Sequence, residues 1–293
     1  MRPAQIDIDV LRTLAKQPTK PIDGLVLPNI SIPASMMGKV RATQATDSIR
    51  IRIRKYLNAI TVDNVDSIRQ NIDKVVCESA QTSDDLNEIA NELLSNFIQN
   101  GRSIKQFLKI FNQISMFAVP EGVNQNGTPI PSKTIGVYFI AACGLKIKST
   151  ISRATMQENA NLDMSDPDME DKYNGNRERA INLIQTVCEL YKQQTSQEVP
   201  KPKSLSSKAV YEVIESLLDC HFDMISEANT KIAHICAEYL YHFMQFGIKL
   251  FMADKTAVKG SSTLADLVKR FSDNVVPKMT ESYLIEKSKI LLA

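Results

Sequence analysis

The residues of this 293-residue chain best suited to chemistry are its three histidines, His221, His234 and His242. His234, Glu238 and His242 recur every four residues along one helical face, a spacing that invites a metal. Residues i and i+8 stand about 12 Å apart along a helix axis, so one ion does not reach all three. Cys220 precedes His221 directly, and consecutive helical residues point in different directions, which parts a nucleophile from its base. The acids of "DMSDPDMED" (163–171) suggest calcium, but Pro167 breaks their alternation and no glycine supplies the mid-loop turn. Gly101, Gly122, Gly127, Gly136, Gly144, Gly175 and Gly260 build no lysine-bearing phosphate loop. The expectation is a protein with no metal, no cofactor and no catalytic site. An enzyme whose site no motif reveals is the rival reading.

The elements that carry these residues read as helices. Gly (10) and Pro (12) are scarce and clustered, and long stretches rich in Leu, Ile, Ala, Lys and Glu lie between them. Helices are expected from Asp47 onward, with Ser83 as an N-cap, Asn100-Gly101 as a stop, and one long helix over about 134–160. "PEGVNQNGTPIPSK" (120–133) and the acidic "NLDMSDPDMEDKYNGN" (161–176) read as loops. In "RERAINLIQTVCELYKQQ" (177–194), Ala180, Ile181, Ile184, Val187, Cys188 and Tyr191 share a face that Leu183 and Leu190 widen. Arg177, Arg179, Asn182, Gln185, Glu189 and Lys192 are left outside. A helix apolar on two adjacent sides fits between its hairpin partner and the next hairpin, as in a stack. The expected fold class is all-α: an α-solenoid of about five helical hairpins over 47–293, with an irregular bundle as the alternative. Residues 1–46 are expected to form a short helix (4–17) and a Pro-rich apolar arm (18–39) with Leu25, Val26, Leu27, Ile30, Ile32, Met36 and Met37. The arm is expected to lie on the chain's own helices or on a partner.

Charge is arranged in blocks behind a net +2. Residues 1–60 carry a local +6, 61–100 a local −6, 101–153 again +6, and 154–175 a local −5. Such alternation predicts separate basic and acidic faces, suited to polyanions and proteins together. Five dispersed cysteines with no Cys-x-x-Cys pair read as reduced thiols. No apolar run approaches the roughly 20 residues of a membrane span; the longest, "IGVYFIAACGL", is about half that. A soluble, cytoplasmic protein without membrane partners is expected.

With the helices placed, two segments resemble a known family. "RERAINLIQTVCELYK" (177–192) is similar to the third-repeat inner helix in the middle domain of eukaryotic translation initiation factor 4G, with Arg177, Arg179, Ile184, Val187, Glu189, Leu190, Tyr191 and Lys192 in register. "RKYLNAITVDNV" (54–65) looks like that domain's first helix and turn through Arg54, Leu57, Asn58, Ile60, Thr61 and Val65. Val62 and Val65 stand where the family has proline and phenylalanine. The order and lengths of the helices from about 47 to 293 also fit the five-repeat middle domain.

The resemblance implies a HEAT-type scaffold that clamps a DEAD-box RNA helicase (factor 4A) and contacts mRNA during translation initiation. It implies helicase contact through Leu57, Ile60 and Val65; the competing reading makes them core residues of the first hairpin. It sends RNA to the basic blocks: Arg50, Arg52, Arg54 and Lys55; Arg102, Lys105 and Lys109; Lys146 and Lys148. Arg102, Lys105 and Lys109 form the best stripe by spacing. The alternative for each is a solvated helix face. Two departures stand out. The tryptophan-bearing basic stretch ahead of the first helix is absent, since the chain has no Trp. The usual motif for a cap-binding protein (factor 4E) is missing too, and "IDIDVLRTL" offers only Ile6 and Leu11, which leaves that partner weakly supported. Related platforms in mRNA decay or nuclear cap binding share these features and form the alternative function.

Overall fold

The computed structural model describes residues 48–123, 129–194 and 205–292. Contacts divide the chain into Met1–Thr46 and Asp47–Ala293, and the expected short helix and arm fall outside the described residues. The described residues are mostly helical, with eleven α-helices and one small β-hairpin. α1 (Ile49–Asn58) starts at Ser48, whose hydroxyl accepts from the Ile51 amide, and buries Ile49, Ile53 and Leu57 at a spacing of four. It ends in a turn held by Asn64, whose side chain accepts from the Thr61 amide (2.7 Å) and donates to the Ala59 carbonyl (2.8 Å). α2 is Val65–Ser79, α3 Ser83–Gln99 and α4 Ile104–Ile114. The cap of α3 is Thr82 rather than Ser83, because Asp85 reaches back to the Thr82 amide and closes a capping box.

β1 (Pro120–Val123) pairs antiparallel with β2 (Pro129–Pro131), inside the stretch expected to be pure loop. α5 (Ile135–Thr150) and α6 (Arg153–Ala160) replace the single long helix expected over 134–160, with a bend of 52° between them. The break falls where Ser152 caps a new helix by accepting from the Thr155 amide. α7 runs from Pro167 to Gln194, so most of the expected acidic loop is helical. Asp166 accepts from the Asp168 amide, Pro167 takes the first position, and Asp168 and Glu170 fill the first turn. The extension carries no apolar stripe and is largely exposed, which hid it from a reading by periodicity.

α8 (Ser207–Ser226) and α9 (Thr230–Ala253) form a hairpin, followed by α10 (Leu264–Arg270), a π-helical turn over Phe271–Val275, and α11 (Ser282–Leu292). The packing follows chain order. α1 lies on α2 and α3, α2 on α4, α3 on α5 and α7, α7 on α9, α8 on α9 and α10, and α9 on α10 and α11. Grouped as α1–α2, α3–α4, α5–α7, α8–α9 and α10–α11, the substantial packings lie within a group or between consecutive groups. Phe97, Phe107, Phe111 and Phe139 join α3, α4 and α5 through ring centroids 4.6 to 5.3 Å apart. Each such buried ring contributes roughly 1.5–3 kcal/mol. α7 buries Ala180, Leu183, Ile184, Val187, Cys188, Leu190 and Tyr191 between α3 and α9. No single helix among the described residues is long and apolar enough to cross a membrane.

Candidate interaction surfaces

The first hairpin places the three apolar residues differently from one another. Leu57 and Val65 are buried, at 1% and 3% exposure, and belong to the core. That removes both from an open contact surface, because neither side chain is left accessible to a partner. Ile60 is half-buried at the turn, beside Val62, which is 73% exposed.

The basic residues of α1 are not a free stripe either. Glu92 on α3 is buried at 1% and accepts from Arg54 Nε (2.6 Å), Arg54 Nη2 (2.7 Å) and Arg50 Nε (2.8 Å). Asn96, one turn on, adds a contact of 3.1 Å. Burial pushes the Glu92 carboxyl up, but the bonds from Arg54 and Arg50 outweigh it and hold the group below its ordinary range. Arg52 donates to Ser79 Oγ at 2.6 Å, and Lys55 is exposed and engaged. The first basic block is thus partly neutralised by a carboxylate of the acidic block that follows it, so the two do not form wholly separate faces.

Arg102, Lys105 and Lys109 behave otherwise. Arg102 sits on the 3-10 turn Gly101–Ser103 and the lysines on α4. All three are exposed, and no partner for them occurs among the described residues. Gly101 is required there for space: a Cβ would stand 1.9 Å from Asn182 Oδ1. Asn182, expected outside, is buried and donates to the Ile98 carbonyl at 2.8 Å, satisfying an orphan group at the end of α3. Lys146 is exposed on α5, beside a groove of about 470 Å³ between α3 and α5. Lys148 faces α8 instead, with Nζ 3.8 Å from Glu212. The nine basic candidates therefore do not converge, and among the described residues Arg102, Lys105 and Lys109 form the one contiguous set for which no partner occurs.

On α7, Arg177 donates through Nε to Glu238 Oε1 at 2.7 Å, with a second bond from Nη2. Glu238 is buried on α9, so the pair ties α7 to α9 as Arg54–Glu92 ties α1 to α3. Arg179 bonds Asn176 (2.7 Å), Lys192 is exposed and engaged, and Glu189 is half-buried. Leu190 and Tyr191 are core. The Tyr191 hydroxyl donates to Asp254, which also accepts from Ser207 Oγ (2.7 Å) and the Thr256 amide (2.8 Å). Burial raises the Asp254 carboxyl, yet the bonds from Thr256, Tyr191 and Ser207 prevail and bring it to about 2. Sequence reasoning missed Glu92 and Asp254 and weighed Glu238 only as a metal ligand; the signal for Glu92 and Glu238 was an acid on an otherwise apolar helix face, whereas Asp254 follows the end of α9.

The histidines are dispersed. His234 Nε2 lies 3.1 Å from Glu281, His242 Nδ1 2.9 Å from Gln245, and His221 Nδ1 2.9 Å from the Ala233 carbonyl. Among the described residues no three His, Cys, Asp or Glu side chains form a metal-holding group. A groove of about 630 Å³ carries Glu212, Glu215, Asp219 and Asp223 in a row along α8. Lys148, Lys259 and Arg270 pair with the first three. This is a salt-bridged wall rather than a convergent pair of carboxylates poised for proton transfer. No protein-family model matches the chain.

Proposed function

We propose that this chain is a non-catalytic scaffold, a HEAT-type α-solenoid of the translation-initiation kind, which engages a DEAD-box RNA helicase and contacts mRNA. The observation that carries the reading is the packing order: five successive helical groups, each resting on the next. Such a stack leaves long outer surfaces for macromolecules. The resemblance of 54–65 and 177–192 to the factor 4G middle domain supplies the partner class. Within this reading the first-hairpin contact moves to the turn, where exposed Val62 and half-buried Ile60 are presented beside buried Leu57 and Val65. RNA falls to Arg102, Lys105 and Lys109.

Two measurements test the two halves. The purified chain is expected to retain a DEAD-box helicase on a column and to stimulate its ATPase, and Val62→Asp is expected to weaken both without unfolding. Retention of no helicase, or indifference to Val62→Asp, overturns the partner assignment. On poly-U, three phosphate contacts give a slope of about −2 in log K against log salt. Replacing Arg102, Lys105 and Lys109 by Gln should flatten it, and an unchanged slope would refute the stripe.

A further inference from the structure

α5 and α8 belong to consecutive helical groups yet touch only lightly, whereas α5 packs closely on α3. The gap between them is a groove of about 460 Å³, lined by Val187 of α7, by Ile140, Gly144 and Leu145 of α5, and by Val210 and Val213 of α8. Leu145 is 73% exposed. A Cβ on Gly144 would meet nothing within 4 Å, so no neighbour in this chain requires a glycine there. Glycine inside a helix is destabilising relative to alanine, and here it leaves the α5 backbone open to close approach.

Lys148, Glu212 and Val213 line this groove and also the one of about 630 Å³, so the two are continuous along α8. Past that junction the walls carry Glu212, Glu215, Asp219 and Asp223 against two bases, Lys148 and Arg153. Arg153 is engaged by Glu227, and Lys148 stands 3.8 Å from Glu212. Lys259 and Arg270, which pair with Glu215 and Asp219, are not on the walls. Asp223 is exposed, and among the described residues no ion pair joins it to a base. α8 therefore presents an apolar half and then an acidic half, over about 21 Å from Ala209 to Asp223.

We propose that this channel docks an amphipathic helix of a partner protein, with aliphatic side chains in the α5–α8 slot and Lys or Arg over the acidic half. The slot has no polar side chain besides Lys148 and Glu212 at the junction. An extended segment would bury unpaired N–H and C=O groups there, whereas a helix satisfies its own. An apolar helical stripe laid between two helices is an ordinary mode of recognition, and Gly144 lets the backbones approach. The acidic half sets the sign of the partner: it repels phosphates and anionic headgroups and attracts cations. The pairs with Lys259 and Arg270 are exposed and weak, so an incoming cation adds to the row instead of having to displace them. None of Val62, Arg102, Lys105 and Lys109 lines the channel, so the inference stands apart from the helicase and RNA assignments.

The test is fluorescence anisotropy of the full chain with two designed helical peptides. Both carry leucines at helical spacing in the first half; the second half carries lysines in one and glutamates in the other. The lysine peptide should bind at least about tenfold more tightly at low salt, with the margin narrowing as salt screens the row. Asp223→Lys should shrink that margin. Gly144→Leu puts a side chain into open space on a helix, so the melting temperature should not fall while binding weakens about tenfold or more. Equal binding of the two peptides, or undiminished binding by Gly144→Leu, would overturn the proposal. So would a wild-type chain that sediments as a dimer and becomes monomeric in Gly144→Leu, which makes a second copy the occupant. Binding to phosphatidylserine vesicles in place of the lysine peptide would overturn it as well.

Discussion

Replacing Arg50 and Arg54 together by methionine keeps two long aliphatic stems and removes both cations from Glu92. The carboxylate, at 1% exposure in the unsubstituted protein, keeps the Asn96 amide as its hydrogen-bond donor among the described residues. Glu92 is the buried partner, while the Arg50 and Arg54 side chains are 55% and 46% exposed, so water screens part of the loss and about 1–3 kcal/mol is expected. Glu92→Gln removes the charge but keeps one acceptor, so about 2 kcal/mol is expected from the loss of charge-assisted bonds. Replacing all three residues together, with leucine for Glu92, should fall within about 1 kcal/mol of the starting protein, since an apolar set of similar volume avoids desolvation. Urea unfolding followed by circular dichroism is the assay, since the chain has no Trp to report by fluorescence. pH adds a second check. The Glu92 carboxyl is held below its ordinary range in the folded protein, so its contribution is complete above the unfolded value, about 4.3, and is lost as pH falls through the lower folded value. Without the arginines, burial alone acts and raises the carboxyl, so the double variant's deficit should shrink as pH is lowered toward 4. A double variant that costs less than about 1 kcal/mol, or a deficit indifferent to pH, would refute a load on this contact.

Further outcomes follow from single contacts. Gly101→Ala should cost about 1–3 kcal/mol in urea unfolding, because the new methyl meets buried Asn182; combining it with Asn182→Ala should cost less than the two changes summed. Ala228, at φ 57°, holds the left-handed position after α8, and Ala228→Gly should stabilise by about 0.5–1 kcal/mol and raise the melting temperature. Asp254→Asn should cost about 1–3 kcal/mol at neutral pH. Because the Asp254 carboxyl lies at about 2, its contribution is present above pH 4 and fades as pH falls toward that value, so wild type and variant should converge in acid.

Much of the helical order was legible. α1 repeats an apolar residue every four positions, and α3 opens on acids that cap it, so local physics and tertiary packing agree there. α7 is the instructive failure. Its first turns, residues 167–176, carry a proline at the first position and acids behind it, which is a helix start, but they lack the apolar stripe that periodicity detects. The break at Ser152 was hidden because apolar residues continue on both sides of it. The candidate surfaces were harder to read. Nothing local to α1 tells that Arg50 and Arg54 fold onto an acid 42 and 38 residues away, whereas Arg102, Lys105 and Lys109 stay open. Likewise Leu57 and Ile60 look alike in sequence, and only the turn at Asn64 decides that one faces inward.

The row-like arrangement of helical groups bears on how the protein yields. Among the described residues no substantial packing joins groups that are not consecutive, so disorder begun at the α10–α11 end can spread inward stepwise, and the middle helix α7, gripped on both flanks, is the last to let go. Amide exchange should then grade smoothly from tip to centre instead of dividing the molecule into a rigid half and a loose one.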